Sequence, residues 1–205
     1  MKISVKNLGK RFNREWIFRN LNYEFEAGNT YAVIGPNGSG KSTLLQIAWG
    51  QLPPSQGTLS YSHNSNEIPP EEIFTLLAVA TPYMELMEEF TLREMVQFHF
   101  RFKKIRNGSP LPEILEKMEL THARNKYISN FSSGMKQRLK LGLAFFSDVP
   151  LLFLDEPMTN LDKKSIDWYW NNLTGLPQDI LIFIASNQDQ EYPPTAKKIN
   201  ISSYK

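Results

Sequence analysis

The residues best suited to chemistry stand in one stretch, Gly35-Pro36-Asn37-Gly38-Ser39-Gly40-Lys41-Ser42. It fits G-x-x-x-x-G-K-[S/T], the pattern of a loop that cradles phosphates. Its glycines let the backbone bend until successive N–H groups point into one concavity. Lys41 supplies a full charge for the outer phosphates, and the Ser42 hydroxyl is a hard oxygen ligand for Mg²⁺. A second chemical pair, Asp155-Glu156, follows the apolar run Leu151-Leu152-Phe153-Leu154. Acids at the carboxyl end of a buried parallel strand are placed to meet a metal ion.

These groups need elements to hold them. Tyr31-Ala32-Val33-Ile34 reads as a buried strand entering the glycine loop. Thr43 to Trp49 reads as a helix leaving it, closed by Gly50, and that helix end adds its positive dipole to the phosphate site. Asp155 comes 113 positions after Ser42 (155 − 42), which suits a separate strand of the same sheet. Ile180 to Ala185 is a further apolar strand, ending at Ser186-Asn187. Ile3 to Leu8 and Tyr23 to Glu26 alternate apolar and polar residues, the mark of half-exposed strands. Thr58 to Tyr61 reads as a short strand, Phe74 to Ala80 as a buried one, and Lys198 to Lys205 as an edge strand. His63 lacks a second ligand at metal spacing and reads as a solvated loop histidine.

From about Thr81 to Phe146 helical patterns dominate. Thr91-x-x-Glu94 is a capping box opening a helix that runs to about Lys103. Pro112 opens a second, to about Met118. A third starts with Ser132 or Ser133 as its N-cap and reads as amphipathic through Met135 to Leu139. Asp162 to Leu173 forms another, with Ile166, Trp170 and Leu173 on a core-facing side. Met84, Met87, Phe90, Met95, Phe98, Phe100 and Phe102 have two readings: a subdomain core, or a surface that adapts to partner helices. Phe12, and after it Trp16, could stack on a nucleotide base; Phe12 also reads as packing against an edge sheet.

The 205 residues suit one domain with an inserted subdomain. A net charge of +2 gives no electrostatic case for nucleic acid as a partner. With no cysteine there is no disulfide framework and no thiolate metal site. Met1-Lys2-Ile3-Ser4-Val5 lacks the apolar stretch of a signal peptide, and no apolar run reaches the ~18 residues of a membrane span.

Together these motifs resemble those of ABC ATPases. Gly35 to Ser42 and Leu151 to Glu156 look like the two Walker motifs. Phe131-Ser132-Ser133-Gly134-Met135-Lys136-Gln137-Arg138 resembles the family signature L-S-G-G-Q, and Thr159-Asn160-Leu161-Asp162 resembles its D-loop. The chain is thus similar to the ATP-binding subunit of an ABC transporter, of the short bacterial kind. The resemblance implies an α/β fold: a P-loop NTPase with a mostly parallel core sheet, an antiparallel edge β-subdomain and an α-helical subdomain inserted at about 81–146, all in one nucleotide-binding domain, 1–205. It implies ATP and Mg²⁺, a second ATPase subunit in a head-to-tail homo- or heterodimer, integral membrane transporter subunits as partners, and a cytoplasmic position on the inner face of the membrane. By residue, it implies phosphate contacts from Gly35, Pro36, Asn37, Gly38, Ser39, Gly40, Lys41, Ser42 and Thr43. A partner subunit's γ-phosphate would meet Ser132, Ser133 and Gly134. Ser42 and Asp155 would hold Mg²⁺, Glu156 would orient or deprotonate water and Asn187 would donate to the γ-phosphate; Phe12 is the candidate for base stacking on its aromatic character alone. Three positions depart from the family pattern. Pro82 stands where a glutamine is usual, with Glu85 nearby; Asn187 replaces the switch histidine; Ser133 replaces a signature glycine. These departures point to retained but slower hydrolysis. The competing readings are a soluble ABC-type ATPase outside transport, and a nucleotide-binding subunit with degenerate hydrolysis.

Overall fold

The computed structural model describes residues 1–205. In chain order it contains strands β1 (Lys2–Phe12), β2 (Glu15–Glu26) and β3 (Thr30–Ile34), helix α1 (Lys41–Ala48), and strands β4 (Gln56–His63), β5 (Asn66–Ile68) and β6 (Leu77–Ala80). Helices α2 (Leu92–His99), α3 (Leu111–Lys117) and α4 (Ser133–Phe145) follow. Then come β7 (Leu151–Asp155), α5 (Lys163–Thr174), β8 (Leu181–Ser186) and β9 (Lys197–Asn200). The residues gather into two compact units: Met1–Leu77 with Pro150–Glu156 and Pro177–Lys205, and Ala78–Val149 with Pro157–Leu176.

The first unit holds an antiparallel sheet of order β2-β1-β4-β5. Ile3 pairs with Phe25 on one side and Tyr61 on the other, and all three side chains are buried. β1 runs on past Leu8 because the register shifts around Asn7, whose φ is +50°, a bulge that extends the strand rather than ending it. β4 and β5 join through Asn64-Ser65, at φ +50° and +66°, the two left-handed residues of a tight hairpin turn. His63 therefore pairs with Asn66 inside this ladder. Its Nδ1 is buried without a partner, and burial lowers its imidazole pKa. The expectation of a solvated loop histidine is corrected by this hairpin.

The same unit carries parallel strands in the order β7-β8-β3-β9. Every residue of β7 and β8 is buried, as the continuous apolar runs demand of strands covered on both faces. Phe153 stacks on Phe183 with ring centroids 4.9 Å apart. The expected strand from Phe74 is shorter. Pro70–Leu76 forms a 3-10 turn and Phe74 is 64% exposed, because proline at the start of the turn fixes φ there and removes a ladder donor. At the tail, β9 pairs with β3 but ends at Asn200, and Ile201–Tyr204 coil into a 3-10 turn.

The second unit is helical. The capping box forms as expected: Glu94 N–H donates to Thr91 Oγ1 (3.3 Å), and Thr91 N–H donates to the Glu94 carboxylate (2.8 Å). α2 nonetheless stops at His99, short of Lys103. Leu92, Met95, Val96, Ile114, Leu115, Met118, Leu139 and Leu143 share one core, with Phe90 and Phe100 packed against it. Met87 and Phe102 are exposed, so the methionine- and phenylalanine-rich segment divides between core and surface.

Two expectations about helix faces are corrected. α4 is buried at every position from Gln137 to Phe145, so it is a central helix, not an amphipathic one. Its polar side chains are satisfied internally. The Gln137 amide donates to Pro157 O (2.9 Å), Arg138 pairs with Glu119 (2.8 Å), and Lys140 Nζ donates to Thr81 O (3.1 Å) and Pro82 O (2.7 Å). In α5 the buried residues are Ser165, Trp168, Tyr169 and Leu173, while Ile166 and Trp170 are half-buried. The helix is turned by long-range contacts: Trp168 Nε1 donates to Lys117 O (2.7 Å), and the Trp168 ring receives the Arg138 guanidinium at 5.3 Å.

Candidate functional site

The parallel register sets the first half of the site. Ile34 pairs with Ser186, and Asp155 pairs with Ala185. The carboxyl ends of β3, β8 and β7 thus stand side by side, with β3 and β7 two strand spacings, about 10 Å, apart. The glycine loop leaves β3 at that level.

Within the loop, Ser39 N–H donates to Pro36 O (3.1 Å), drawing it into a compact bend. Gly40 has φ +104° at the N-cap of α1. A Cβ there would lie 2.4 Å from Ile17 Cγ2, so β2 presses on the loop and only glycine fits. No side chain caps α1, which leaves its first-turn N–H groups for a ligand. Lys41 is 5% exposed, and its Nζ folds back to donate to Gly35 O (3.0 Å) and Pro36 O (3.2 Å). Its charge thus sits inside the concavity.

Asp155 is 2% exposed. Burial pushes its carboxyl above the usual range and the neighbouring Glu156 charge adds to the rise; a hydrogen bond with Ser42 and the Lys41 charge pull it back. Asp155 Oδ1 is buried with no hydrogen-bond partner. A hydroxyl and an orphaned carboxylate oxygen held together are a fitting donor set for Mg²⁺, which takes one or two protein oxygens and completes its shell with water and phosphate. No group of three or more His, Cys, Asp or Glu converges elsewhere to hold a metal.

Glu156 has φ +45°, a left-handed conformation that costs a non-glycine residue free energy and clusters at functional positions. Its N–H donates to Ala185 O (2.9 Å), which fixes that backbone. Beyond β8, Ser186 is fully buried and bonds Gln188 and Glu191. Asn187 Nδ2 donates to Asn37 Oδ1 (2.9 Å), tying this loop to the phosphate loop. Phe12 is 47% exposed, with Lys10 Nζ 5.2 Å from its ring centroid, so it is not packed into the sheet. Trp16 is half-buried beneath Arg11.

The second unit presents a groove of about 390 Å³ lined by Ser132, Ser133, Gly134, Arg138, Asn160 and Asp162 among others. Ser132 caps α4, its Oγ accepting from Met135 N–H (3.2 Å). A Cβ on Gly134 would sit 2.9 Å from Asn160 O, so the signature and the D-loop-like turn are in contact. Ser132 and Ser133 are exposed at this helix end. Sequence reading missed the floor of the groove. Arg138 bonds Ser165 and Glu119, and Glu119 also pairs with Lys164 (2.8 Å). It also missed Lys140. The only available signal was the placement of cations on a helix that the structure buries.

A glycine loop between a buried strand and a helix, with an acid at the end of a neighbouring parallel strand, defines a P-loop NTPase of α/β class. The sequence profile described as "ABC transporter" matches residues 18–159; the chain belongs to the ABC transporter family, as one of its ATP-binding subunits. The cytochrome c biogenesis ATP-binding export protein CcmA of Haemophilus influenzae is 29% identical, over 100% of this chain and 97% of its own length. The ABC transporter ATP-binding protein YybJ of Bacillus subtilis is 29% identical over 80% of this chain and 75% of its own. The Nod factor export ATP-binding protein I of Rhizobium leguminosarum is 28% identical, and the chain spans 57% of that relative's length. Among solved structures, an ATP-binding subunit of an ABC transporter superposes with TM-score 0.79 at 25% identity, over 91% of this chain and 80% of that one. A Pyrococcus furiosus chain shares the fold with TM-score 0.81 at 18% identity, over 100% and 99%. No helix is long and apolar enough to cross a membrane.

Proposed function

We propose that this chain binds and hydrolyses ATP, pairs head-to-tail with a second ATPase subunit, and drives separate integral membrane subunits from the cytoplasmic face. A single domain, 1–205, with its helical part inserted at about 81–146, would carry the whole cycle. The observation that carries this reading is the buried Asp155 carboxyl beside Ser42 and Lys41 of the glycine loop, with its Oδ1 left without a partner.

In this mechanism the backbone N–H groups from Gly35 to Thr43 hold the phosphates and Lys41 turns from its carbonyl partners to the outer phosphates. Ser42 and Asp155 hold Mg²⁺, which when bound neutralises charge on the phosphate oxygens. Glu156, aimed by its fixed backbone, positions the attacking water. Asn187 donates to the γ-phosphate, and Phe12 stacks on adenine. Ser132, Ser133 and Gly134, with the N-terminus of α4, close the site of the second subunit, whether that subunit is a copy of this chain or a different one. Catalysis of phosphoryl transfer is mostly positioning and charge stabilisation, so these groups suffice. Pro82 and Asn187 remove a ligand side chain and an ionisable switch, and hydrolysis is slow in consequence. The transport reading is supported over a soluble ABC-type function by the similarity to one export ATP-binding protein across 97% of that relative's length.

The test is turnover of Glu156→Gln in the assembled transporter. A loss of about 100-fold or more, with Mg-ATP affinity kept, is expected for a group that positions the nucleophile. Unchanged turnover would remove Glu156 from catalysis, and a calorimetric titration with no Mg-ATP heat would end the reading altogether.

A further inference from the structure

Two lysines of α4 fasten the segment 81–88. Lys140 is 8% exposed, and its ammonium is spent on two main-chain acceptors, Thr81 O at 3.1 Å and Pro82 O at 2.7 Å. Lys136, one turn nearer the helix start, forms an ion pair with Glu88. Residues four apart lie on one helical face, so the same side of α4 grips the segment at both ends. Between the grips Leu86 packs against the helical core, and at the far end Ser129 N–H donates to Glu88 O (3.1 Å). Met84 N–H donates to Thr81 O (3.3 Å), Tyr83 is 84% exposed, and Glu85 is exposed. Pro82 has no side chain able to reach a phosphate, a metal or water, and Glu85 points to solvent rather than substituting for one.

The N-cap of α4 is Ser132, and Lys140 stands eight residues along, about 12 Å at the helical rise. A helix is stiff over that length, so a displacement at Ser132–Gly134 is carried to Lys136 and Lys140 undiminished. We infer that Lys136 and Lys140 are positioning residues that make the segment 81–88 move with the signature end of α4. The inference rests on the proposed function, in that nucleotide is taken to engage Ser132–Gly134 of a partner copy. Here Pro82 leaves the segment without a polar side chain of its own at that point, and the link to nucleotide runs through the neighbouring helix instead. The lysines touch neither nucleotide nor metal.

The experiment is hydrogen–deuterium exchange on the full chain, with and without Mg-ATP, in wild type, Lys140→Met, Lys136→Met and Lys140→Arg. In wild type, Mg-ATP should slow exchange in residues 35–43, in 132–139 and in 81–88 together. In Lys140→Met the slowing at 35–43 and 132–139 should persist, while that at 81–88 falls at least threefold. Lys136→Met, which alters a more exposed pair, should give a smaller loss in the same place. Lys140→Arg, which keeps donors in reach of the carbonyls, should restore more than half of it. If Lys140→Met is poorly folded, Lys136→Met and Lys140→Arg decide the matter. Undiminished protection of 81–88 in Lys140→Met, or in Lys136→Met where that variant must decide, would overturn the inference. Absence of any protection at 35–43 in wild type would instead overturn the nucleotide reading beneath it.

Discussion

Gly40→Ala tests how the strand β2 shapes the phosphate loop. Two costs add. The φ of +104° lies in the left-handed half of the map, and forcing a Cβ into it costs roughly 1–2 kcal/mol. The new methyl would also stand 2.4 Å from Ile17 Cγ2, and overpacking of that kind costs about 1–3 kcal/mol. The sum, about 2–5 kcal/mol, should lower Tm by roughly 5–15 °C in a domain of this size. Ile17→Ala removes the clashing carbon; because Ile17 is only half-buried, that change alone should cost about 1–2 kcal/mol, below the range for a fully buried isoleucine. In the double variant the steric part disappears and the dihedral part stays. The cycle should therefore show a favourable coupling of about 1–3 kcal/mol, well above the ~0.5 kcal/mol scatter of independent sites. Thermal or urea unfolding of the four proteins measures it. A Gly40→Ala variant within 2 °C of wild type, or a coupling indistinguishable from zero, would refute the claim that β2 is what forbids a side chain here.

Other outcomes follow from the same geometry. Asp155→Asn keeps the shape but weakens the oxygen that Mg²⁺ would take; the Mg²⁺ concentration for half-maximal ATP binding should rise about tenfold or more, as read by titration calorimetry, while metal-free nucleotide binding changes little. His99 is half-buried on α2, with its Nε2 2.9 Å from Ser147 Oγ. That hydroxyl already donates to Leu143 O (2.7 Å), so Nε2 carries the proton. Burial, with Lys103 adding, lowers the imidazole pKa from 6.5 to about 4. The unfolded chain therefore binds the extra proton first. Stability should be full above pH 6.5 and fall by about 3 kcal/mol as pH drops towards 4. Urea unfolding across that window should show the slope, and His99→Gln should flatten it.

The chemistry was more legible than the packing. The strand, loop and helix around Lys41 announce themselves because glycine spacing and an apolar run are local signals. The same holds for Asp155 at the end of Leu151–Leu154, since a covered parallel strand leaves no polar alternation. The capping box at Thr91 is written in four residues. What sequence did not show depends on partners distant along the chain. α4 carries Lys136, Gln137, Arg138 and Lys140, and reads as a helix with a wet side; it is buried because Pro157, Glu119, Ser165, Thr81 and Pro82 bring acceptors to it. α5 is turned by one position because Lys117 O claims the Trp168 indole. The left-handed backbone of Glu156 has no composition signal at all, since its cause is Ala185 on the next strand.

The bond between Asn187 and Asn37 has one further consequence. Both groups are carboxamides, and neither gains or loses a proton in water at any pH a cell tolerates. A latch made from an imidazole would loosen or tighten with acidity near neutrality. This one has a single setting. The Asn187–Asn37 contact itself should be indifferent to acidification, whatever the carboxylates of Asp189 and Glu191 do elsewhere in that loop.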